Sequence, residues 1–164
     1  MNPNYAVRVK EEIDKLLLQV GFITPVDTAT WLSPIVIVPE KNKKLRVCVD
    51  YRKLNAVTIP DPFPIPYTNA LLDDVAGHEI YSFLDGFSGY NQIRMALGDR
   101  AKTAFITEWG AYVSEVMTFG LKSVHATFQR AAYKIFEKQL EKNFMRIFVD
   151  DFTVFGKRNM HLAC

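Results

Sequence analysis

Apolar residues along the chain follow two different periodicities, and these predict a mixture of helices and strands. Apolar positions spaced three and four apart predict one helix over residues 5–20, which Gly21 ends, and a second helix that Ser123 caps. Short apolar runs between turn residues predict strands at residues 34–38, 45–49, 80–84, 103–107, 112–117, 144–149 and 152–155. Because these elements do not alternate as βαβ units, the sequence predicts an α+β fold with a mainly antiparallel sheet.

Several local patterns refine this prediction. Residues 34–38 form a continuous apolar run typical of a buried strand, and the polar turn at residues 40–44 predicts a hairpin with a basic tip. Four prolines in residues 60–66 exclude a regular helix or a central strand there. Thr68 is expected to open a short helix that Gly77 ends. The second long helix is expected to bury a stripe formed by Val124, Phe128, Ala131, Ala132, Ile135 and Phe136.

Composition excludes little beyond this. The 164 residues suit one compact domain, and a net charge of +2 does not by itself indicate nucleic-acid binding. Cys48 and Cys164 are far apart and are the only cysteines, which favours a reducing, intracellular compartment over a disulfide framework. No apolar run approaches the roughly 20 residues that span a bilayer, so we expect a soluble protein without a membrane partner.

The most informative feature is a pair of adjacent carboxylates, Asp150 and Asp151, between two apolar strands. Neighbouring like charges repel each other and partial burial makes ionisation costlier, and a divalent cation would offset both effects. If the strand continues through Asp150, this residue shares a face with Arg146 and Phe148, while Asp151 lies on the other face. Asp85, at the end of another apolar strand, supplies a third carboxylate. The spacing alone leaves open a solvated hairpin turn at residues 150–151.

Seven motifs occur in the order found in reverse transcriptases of long-terminal-repeat retrotransposons, at residues 31–36, 46–55, 83–93, 102–105, 119–121, 126–130 and 148–151. The chain most resembles the Gypsy-type group, and within it a plant lineage. The resemblance implies a right-hand polymerase whose fingers and palm are interleaved, residues 1–84 being mostly fingers with the start of the palm and residues 85–164 mostly palm. It also implies that the family's thumb and ribonuclease H regions are absent from this chain.

The resemblance implies nucleotidyl transfer from deoxynucleoside triphosphates to a primer 3′-OH on an RNA or DNA template. Two Mg²⁺ (or Mn²⁺) ions would be held by the catalytic carboxylates Asp85, Asp150 and Asp151 and by the Gly86 carbonyl. Such ions stabilise both the entering and the leaving oxygen of an in-line displacement at phosphorus. It further implies an intracellular location, in a cytoplasmic retroelement particle or the nucleus.

Other positions match the family's nucleotide and nucleic-acid contacts. The resemblance assigns the incoming nucleotide to Arg46, Lys41, Tyr90, Phe119 and Gly120, with the Tyr90 ring excluding a 2′-hydroxyl. A guanidinium such as that of Arg46 pairs well with phosphate oxygens. The same resemblance makes nucleic-acid contacts of the basic residues Lys43, Lys44, Arg52 and Lys53. Without the resemblance, the sequence favours a core tyrosine at Tyr90 and a solvated turn for the lysine run.

The sequence also departs from the Gypsy-type pattern, at Pro39, Glu40, Thr118, Ser123–His125 and Phe148. These changes leave the three carboxylates in place but alter the fingers hairpin and the entry to the second long helix. They keep open a catalytically inactive remnant that retains the fold and binds nucleic acid. An unrelated two-metal phosphotransfer enzyme would explain the carboxylates but not Arg46 or Tyr90. The sequence does not indicate an oligomeric state.

Overall fold

A computed structural model describes residues 3–16, 20–39 and 45–157 of the chain. Its contacts divide the chain into two compact units, each built from two separate stretches. We call Met1–Ile59 with Tyr90–Val124 the five-stranded unit, and Pro60–Gly89 with His125–Cys164 the three-stranded unit.

The helices are α1 (Pro3–Asp14), α2 (Arg52–Val57), α3 (Thr68–Val75), α4 (Leu97–Arg100), α5 (Val124–Ile135) and α6 (Glu137–Glu141), with 3₁₀ turns at Gly89–Gln92 and Ala101–Thr103. The strands are β1 (Ile23–Val26), β2 (Ser33–Pro39), β3 (Leu45–Val49), β4 (Ile80–Asp85), β5 (Phe105–Thr107), β6 (Gly110–Ser114), β7 (Met145–Phe148) and β8 (Asp151–Gly156). Among the described residues, every strand pair is antiparallel except β2 with β5. The predicted α+β class with a mainly antiparallel sheet is confirmed.

The five-stranded unit has the strand order β1-β6-β5-β2-β3 and a core made by α1 against the sheet. Val9 and Ile13, one helical turn apart, are buried with Ile23, Phe105 and Tyr112. Gly21, predicted to end the first helix, has a φ of 63°, which a residue without a Cβ adopts freely. The N–H of Phe22 then donates to the carbonyl of Leu16 at 2.9 Å, a bond that commonly closes helix ends.

The three-stranded unit has the order β4-β8-β7, with α5 supplying the buried side chains Phe128, Gln129 and Ala132. In β7, Met145 and Ile147 are buried and alternate with half-buried residues, as expected for a strand with one covered face. The ring of Phe136 meets that of Phe152 edge-on, with centroids 5.4 Å apart. The apolar stripe predicted for this helix is therefore largely confirmed, but Ile135 is 72% exposed and lies outside the core.

Two other local features differ from the prediction. Residues 23–26, for which the sequence predicted no strand, form β1, at the edge of its sheet, where Pro25 is tolerated because an edge strand needs fewer N–H donors. The run 34–38 is not covered on both sides, since Val36 and Val38 are each 44% exposed. The helix α3 begins at Thr68, as predicted, with no side-chain cap. The predicted basic hairpin tip at residues 40–44 lies outside the described residues.

Candidate functional site

Asp85 and Asp151 face each other across two neighbouring strands. Asp85 is the last residue of β4 and Asp151 the first of β8, and the two are directly paired in the antiparallel register. Directly paired residues point to the same face with Cβ atoms about 4.5–5.5 Å apart, and like charges in such a pair destabilise a sheet. Both side chains are exposed. This arrangement favours a bound cation between them.

Asp150 lies in the two-residue turn that joins β7 to β8. Phe148 pairs with Asp151, so Val149 and Asp150 make the connection. The strand therefore does not continue through Asp150, and Asp151 rather than Asp150 shares the face of Phe148. Val149 has a φ of 55°, the left-handed region that a turn of this length usually fills with glycine. A β-branched residue held there stores about 1–3 kcal/mol of strain, typical of functional sites.

Gly86 connects Asp85 with Asp150. Its N–H donates to the Asp150 carbonyl at 2.7 Å, while its own carbonyl accepts from the Gly89 N–H at 2.8 Å. A Cβ at Gly86 would lie 3.2 Å from both the Asp150 carbonyl oxygen and Cε2 of Phe152, and 3.5 Å from the Cβ of Asp150. Only glycine lets the two backbone segments approach this closely without displacement. All three predicted carboxylates are thereby brought to one end of the three-stranded sheet.

Gln129 holds the backbone on the other side of this turn, a role that the predicted elements do not indicate. Its side chain is completely buried. Its Nε2 donates to the carbonyl of Ile147 at 2.8 Å, and its Oε1 accepts from the N–H of Val149 at 2.5 Å. The signal that could have found it is a carboxamide next to Phe128 on the apolar face of a helix, where a polar group needs partners.

The three carboxylates suit a hard divalent cation. Among the described residues, no three His, Cys, Asp or Glu side chains already form a closed set of ligands for one ion. Mg²⁺ does not need such a set, because it is commonly bound by one or two carboxylates together with water and substrate phosphates. The exposed pair Asp85 and Asp151 fits that requirement, with Asp150 half-buried beside Gly86.

A second group of predicted residues lies within the five-stranded unit. Tyr90 is 2% exposed, and its ring meets that of Phe119 edge-on with centroids 4.8 Å apart. The Phe119–Gly120 loop is held by Asn55, whose Nδ2 donates to the Gly120 carbonyl at 2.6 Å and whose Oδ1 accepts from the Lys122 N–H at 2.8 Å. Gly120 has a φ of 94°, which requires a residue without a Cβ.

The predicted basic contacts are distributed unevenly. Arg46 lies on β3 with an exposed side chain, and Lys53 is exposed on α2. Arg52 makes a bidentate ion pair with Asp50, with Nη2 2.7 Å from Oδ2 and Nε 2.9 Å from Oδ1. These bonds lower the pKa of Asp50 from 3.8 to about 2. A phosphate at Arg52 would therefore compete with Asp50. Lys41, Lys43 and Lys44 lie outside the described residues.

Within the three-stranded unit, Asp61 fixes the proline-rich segment to α5. Its carboxylate accepts from the Phe63 N–H at 3.0 Å and the Thr127 hydroxyl at 2.9 Å, and it pairs with Arg130 at 2.8 Å. The Phe63 hydrogen bond, then the Thr127 bond and the Arg130 charge, hold the pKa of Asp61 below its ordinary value. The segment without regular structure is thus anchored to the helix that carries Gln129.

Comparison with known proteins identifies the family. Residues 38–164 match the family described as "Reverse transcriptase (RNA-dependent DNA polymerase)". The chain is 40% identical over 159 residues to the "Retrovirus-related Pol polyprotein from transposon opus" and 35% identical over 149 residues to that from transposon gypsy, both of Drosophila melanogaster. These alignments cover 94% and 87% of the chain. The chain therefore belongs to the reverse transcriptase family, whose members generally use divalent metal ions.

Two further comparisons extend this result. An "RNA-directed DNA polymerase homolog" of Oenothera berteroana is 39% identical over 111 residues, covering 68% of this chain and 78% of that protein. The fold matches that of a foamy viral protease–reverse transcriptase in complex with an RNA/DNA hybrid, with a TM-score of 0.85 at 19% identity over 97% of this chain and 21% of that one. That likeness supports the α+β polymerase fold.

The chain spans a small part of its longer relatives. It covers 16% of the opus polyprotein and 14% of the gypsy polyprotein. In the part of the chain that the structure describes, no helix is both long and apolar enough to cross a membrane.

Proposed function

We propose that this chain is the catalytic portion of an RNA-directed DNA polymerase, which transfers nucleotides from deoxynucleoside triphosphates to a primer 3′-OH on an RNA or DNA template. The observation that carries the proposal is the pairing of Asp85 with Asp151, with Asp150 bonded to Gly86 beside them, in a member of the reverse transcriptase family. Three carboxylates lie close together because Gly86 allows a close approach of the two backbone segments. This arrangement suits a metal-dependent phosphoryl transfer site better than a solvated turn.

In this proposal Asp85, Asp150 and Asp151 are the catalytic carboxylates, and with the Gly86 carbonyl they hold two Mg²⁺ or Mn²⁺ ions. Bound ions of this kind stabilise the charge on the entering and leaving oxygens during in-line transfer. The carboxylates contribute the negative charge that retains the ions. The Gly86 carbonyl already accepts one hydrogen bond from Gly89 at 2.8 Å, and its second lone pair is the one assigned to an ion.

The nucleotide is assigned to residues of the five-stranded unit. We propose that Arg46 pairs with the triphosphate, together with Lys41, and that Tyr90, Phe119 and Gly120 contact the sugar and base. The edge-on packing of Tyr90 against Phe119 supports a rigid aromatic surface, because each ring restricts the movement of the other. The basic residues proposed to follow the nucleic-acid backbone are Lys43, Lys44, Arg52 and Lys53.

The proposal extends to the origin of the chain. The seven ordered motifs and the similarity to the transposon gypsy polyprotein support a Gypsy-type retrotransposon, and the similarity to the Oenothera protein supports a plant lineage. We propose that fingers and palm are interleaved, with residues 1–84 mostly fingers and residues 85–164 mostly palm. The proposed location is a cytoplasmic retroelement particle or the nucleus.

The test is nucleotide incorporation by the 164-residue chain on a primed RNA template with Mg²⁺ or Mn²⁺. Asp150→Asn should abolish incorporation while leaving the affinity for the primed template within about threefold, because the amide keeps the side-chain shape and removes the charge. The matched control is Asp73→Asn, an exposed residue of α3 in the same unit. Incorporation that survives in Asp150→Asn at the parental rate would refute the assignment.

The second candidate is a retroelement remnant that keeps the fold and binds nucleic acid without catalysis. The observation that favours it is the set of departures from the Gypsy-type pattern, of which Glu40 places a negative charge next to Lys41 in the sequence. This candidate predicts template binding by the parent chain, salt-dependent as phosphate contacts require, with no incorporation in either metal.

A further inference from the structure

Gln129 contacts the turn that carries Asp150 through both ends of its carboxamide. The Nε2 donates to the Ile147 carbonyl at 2.8 Å and the Oε1 accepts from the Val149 N–H at 2.5 Å. The side chain is 0% exposed, so water does not compete for either bond. These two bonds fix the backbone immediately before Asp150.

The neighbouring backbone shows why such a restraint is needed. β7 is the outer strand of the β4-β8-β7 sheet, so one side of its backbone has no strand partner among the described residues. Val149 is held with a φ of 55°, a conformation that valine adopts only when its surroundings impose it. Without a partner for its N–H, Val149 would relax toward negative φ, and the Asp150 that follows would move with it.

We infer that Gln129 is a positioning residue, which holds Val149 in its left-handed conformation and thereby sets where the Asp150 carboxylate lies relative to Asp85. The inference deepens the proposed function and rests on it where catalysis is concerned. The link to Asp85 is direct, because the Asp150 carbonyl accepts from the N–H of Gly86, the residue after Asp85, at 2.7 Å. The chain Gln129–Val149–Asp150–Gly86 lies wholly within the three-stranded unit.

The first experiment measures hydrogen exchange of single amides in the 164-residue chain and in Gln129→Met, which keeps the side-chain length and removes both hydrogen bonds. We expect exchange at Val149 and Gly86 to become at least tenfold faster. The amide of Phe155, which donates to Phe144 at 2.8 Å at the far end of the same hairpin, should be unchanged. Equal acceleration at Phe155 would mean general loosening and would overturn the inference, as would unchanged exchange at Val149.

The matched control is Gln139→Met, the same replacement at an exposed position of α6 in the same unit. It should leave all three amides unchanged. If Gln129→Met does not fold, Gln129→Glu replaces it, because one carboxylate oxygen still accepts from the Val149 N–H while donation to Ile147 is lost. In that variant exchange at Val149 and Gly86 should change together, and faster exchange at Gly86 with Val149 unchanged would count against the inference.

The second experiment measures binding of Mn²⁺ alone, by water-proton relaxation, and then single-nucleotide incorporation. Gln129→Met should weaken Mn²⁺ binding at least fivefold and lower kcat at saturating metal 10- to 100-fold, with the KM for nucleotide within threefold. Adding Val149→Gly should recover at least fivefold of the lost kcat, because glycine adopts positive φ without help. A changed KM with an unchanged kcat would overturn the inference.

These results separate the inference from the proposed function. A parent chain that incorporates no nucleotide refutes the proposed function, and the amide exchange and Mn²⁺ binding then decide the inference alone. A parent chain that is active, with Gln129→Met retaining parental exchange and Mn²⁺ affinity, refutes the inference and leaves the proposed function standing.

Discussion

Two side-chain carboxamides in this molecule each bond to two backbone groups of a turn or loop, but in different surroundings. In the three-stranded unit, Gln129 spans two backbone groups of a hairpin turn, and in the five-stranded unit Asn55 spans two backbone groups of the Phe119–Gly120 loop. Both side chains donate to a carbonyl and accept from an N–H two residues further along. Gln129 is completely buried, whereas Asn55 is half-buried and its bonds lie at the surface.

The comparison shows that the same pair of hydrogen bonds contributes a different free energy to stability in a buried and in an exposed position. A buried donor or acceptor that loses its partner costs about 1–3 kcal/mol, because nothing replaces the bond. At the surface, water takes the place of the lost partner, and the net cost falls to roughly 0.5–1.5 kcal/mol. Gln129 therefore contributes to both stability and local geometry, while Asn55 mainly selects one loop conformation among several.

The largest effect is expected from Gln129→Met. It leaves the Ile147 carbonyl and the Val149 N–H buried without a partner, so the free energy of unfolding should fall by about 2–5 kcal/mol. Urea denaturation followed by the fluorescence of the chain measures this. Gln139→Met on the exposed face of α6 should change stability by less than about 0.5 kcal/mol. Similar losses in the two variants would show that burial is not what distinguishes Gln129.

Tyr51 provides the buried polar group of the five-stranded unit, and its effect should appear at high pH. Burial raises the pKa of Tyr51 to about 12 from 10.0, with its hydroxyl donating to the Thr103 carbonyl at 3.1 Å. A raised pKa favours the protonated folded state, so this stability is fully present below pH 10 and is lost as pH rises through 12.

The loss amounts to roughly 3 kcal/mol for a shift of about two units. Urea midpoints between pH 9 and pH 12 measure it. In Tyr51→Phe the decline between pH 10 and 12 should be smaller, although the variant starts from lower stability at neutral pH. An identical pH dependence in the two proteins would contradict the role of Tyr51.

A smaller effect is expected from Asn55→Ala. Its two bonds to Gly120 and Lys122 are replaced by water, so the free energy of unfolding should fall by about 1 kcal/mol. Asn55→Asp keeps an acceptor for the Lys122 N–H, loses the donor to Gly120, and should fall between Asn55→Ala and the parent. A loss as large as that of Gln129→Met would remove the contrast between the two carboxamides.

The smallest effect is expected from Arg52→Ala, at an ion pair whose Arg52 side chain is exposed. Stability at neutral pH should fall only slightly, because solvent screens an ion pair whose guanidinium is exposed. The pKa of Asp50 should nevertheless rise from about 2 toward 3.8, since the Arg52 side-chain bond is the main cause of its lowering. A carboxyl titration followed by NMR measures this. The lowered pKa contributes only above about pH 3.8 and is lost as pH falls through 2.

Local patterns predicted much of the fold, and they failed where tertiary partners decide. The strand that ends at Asp85 and the left-handed Gly21 follow from apolar spacing and from glycine, which act over a few residues. The strand β1 was missed because Pro25 opposes a strand locally, while its pairing with Tyr112 is a distant contact. Likewise, nothing near Ile135 in the sequence shows that its side of α5 is exposed.

The candidate site likewise has features that local sequence predicts and features that depend on tertiary contacts. The three carboxylates could be found from the sequence because adjacent aspartates between apolar strands are unusual. That Asp151, rather than Asp150, pairs with Asp85 depends on where the turn lies, and the left-handed Val149 that fixes the turn has no sequence signal. Gln129 bonds to Ile147 and Val149, which lie 18 and 20 residues further along the chain. Its role therefore appears only once the hairpin is folded against α5.

The pairing of β1 with β6 has a consequence for synthesis on the ribosome. Thr24 bonds to Glu115, 91 positions later, so β1 has no partner until β6 has been made. At about 5–20 residues per second, that interval is roughly 5–20 s. Throughout it the apolar residues of α1 and β2, among them Val9 and Ile35, lack the Phe105 and Tyr112 that later cover them. The nascent chain therefore exposes an apolar surface that chaperones can bind well before the five-stranded unit can fold.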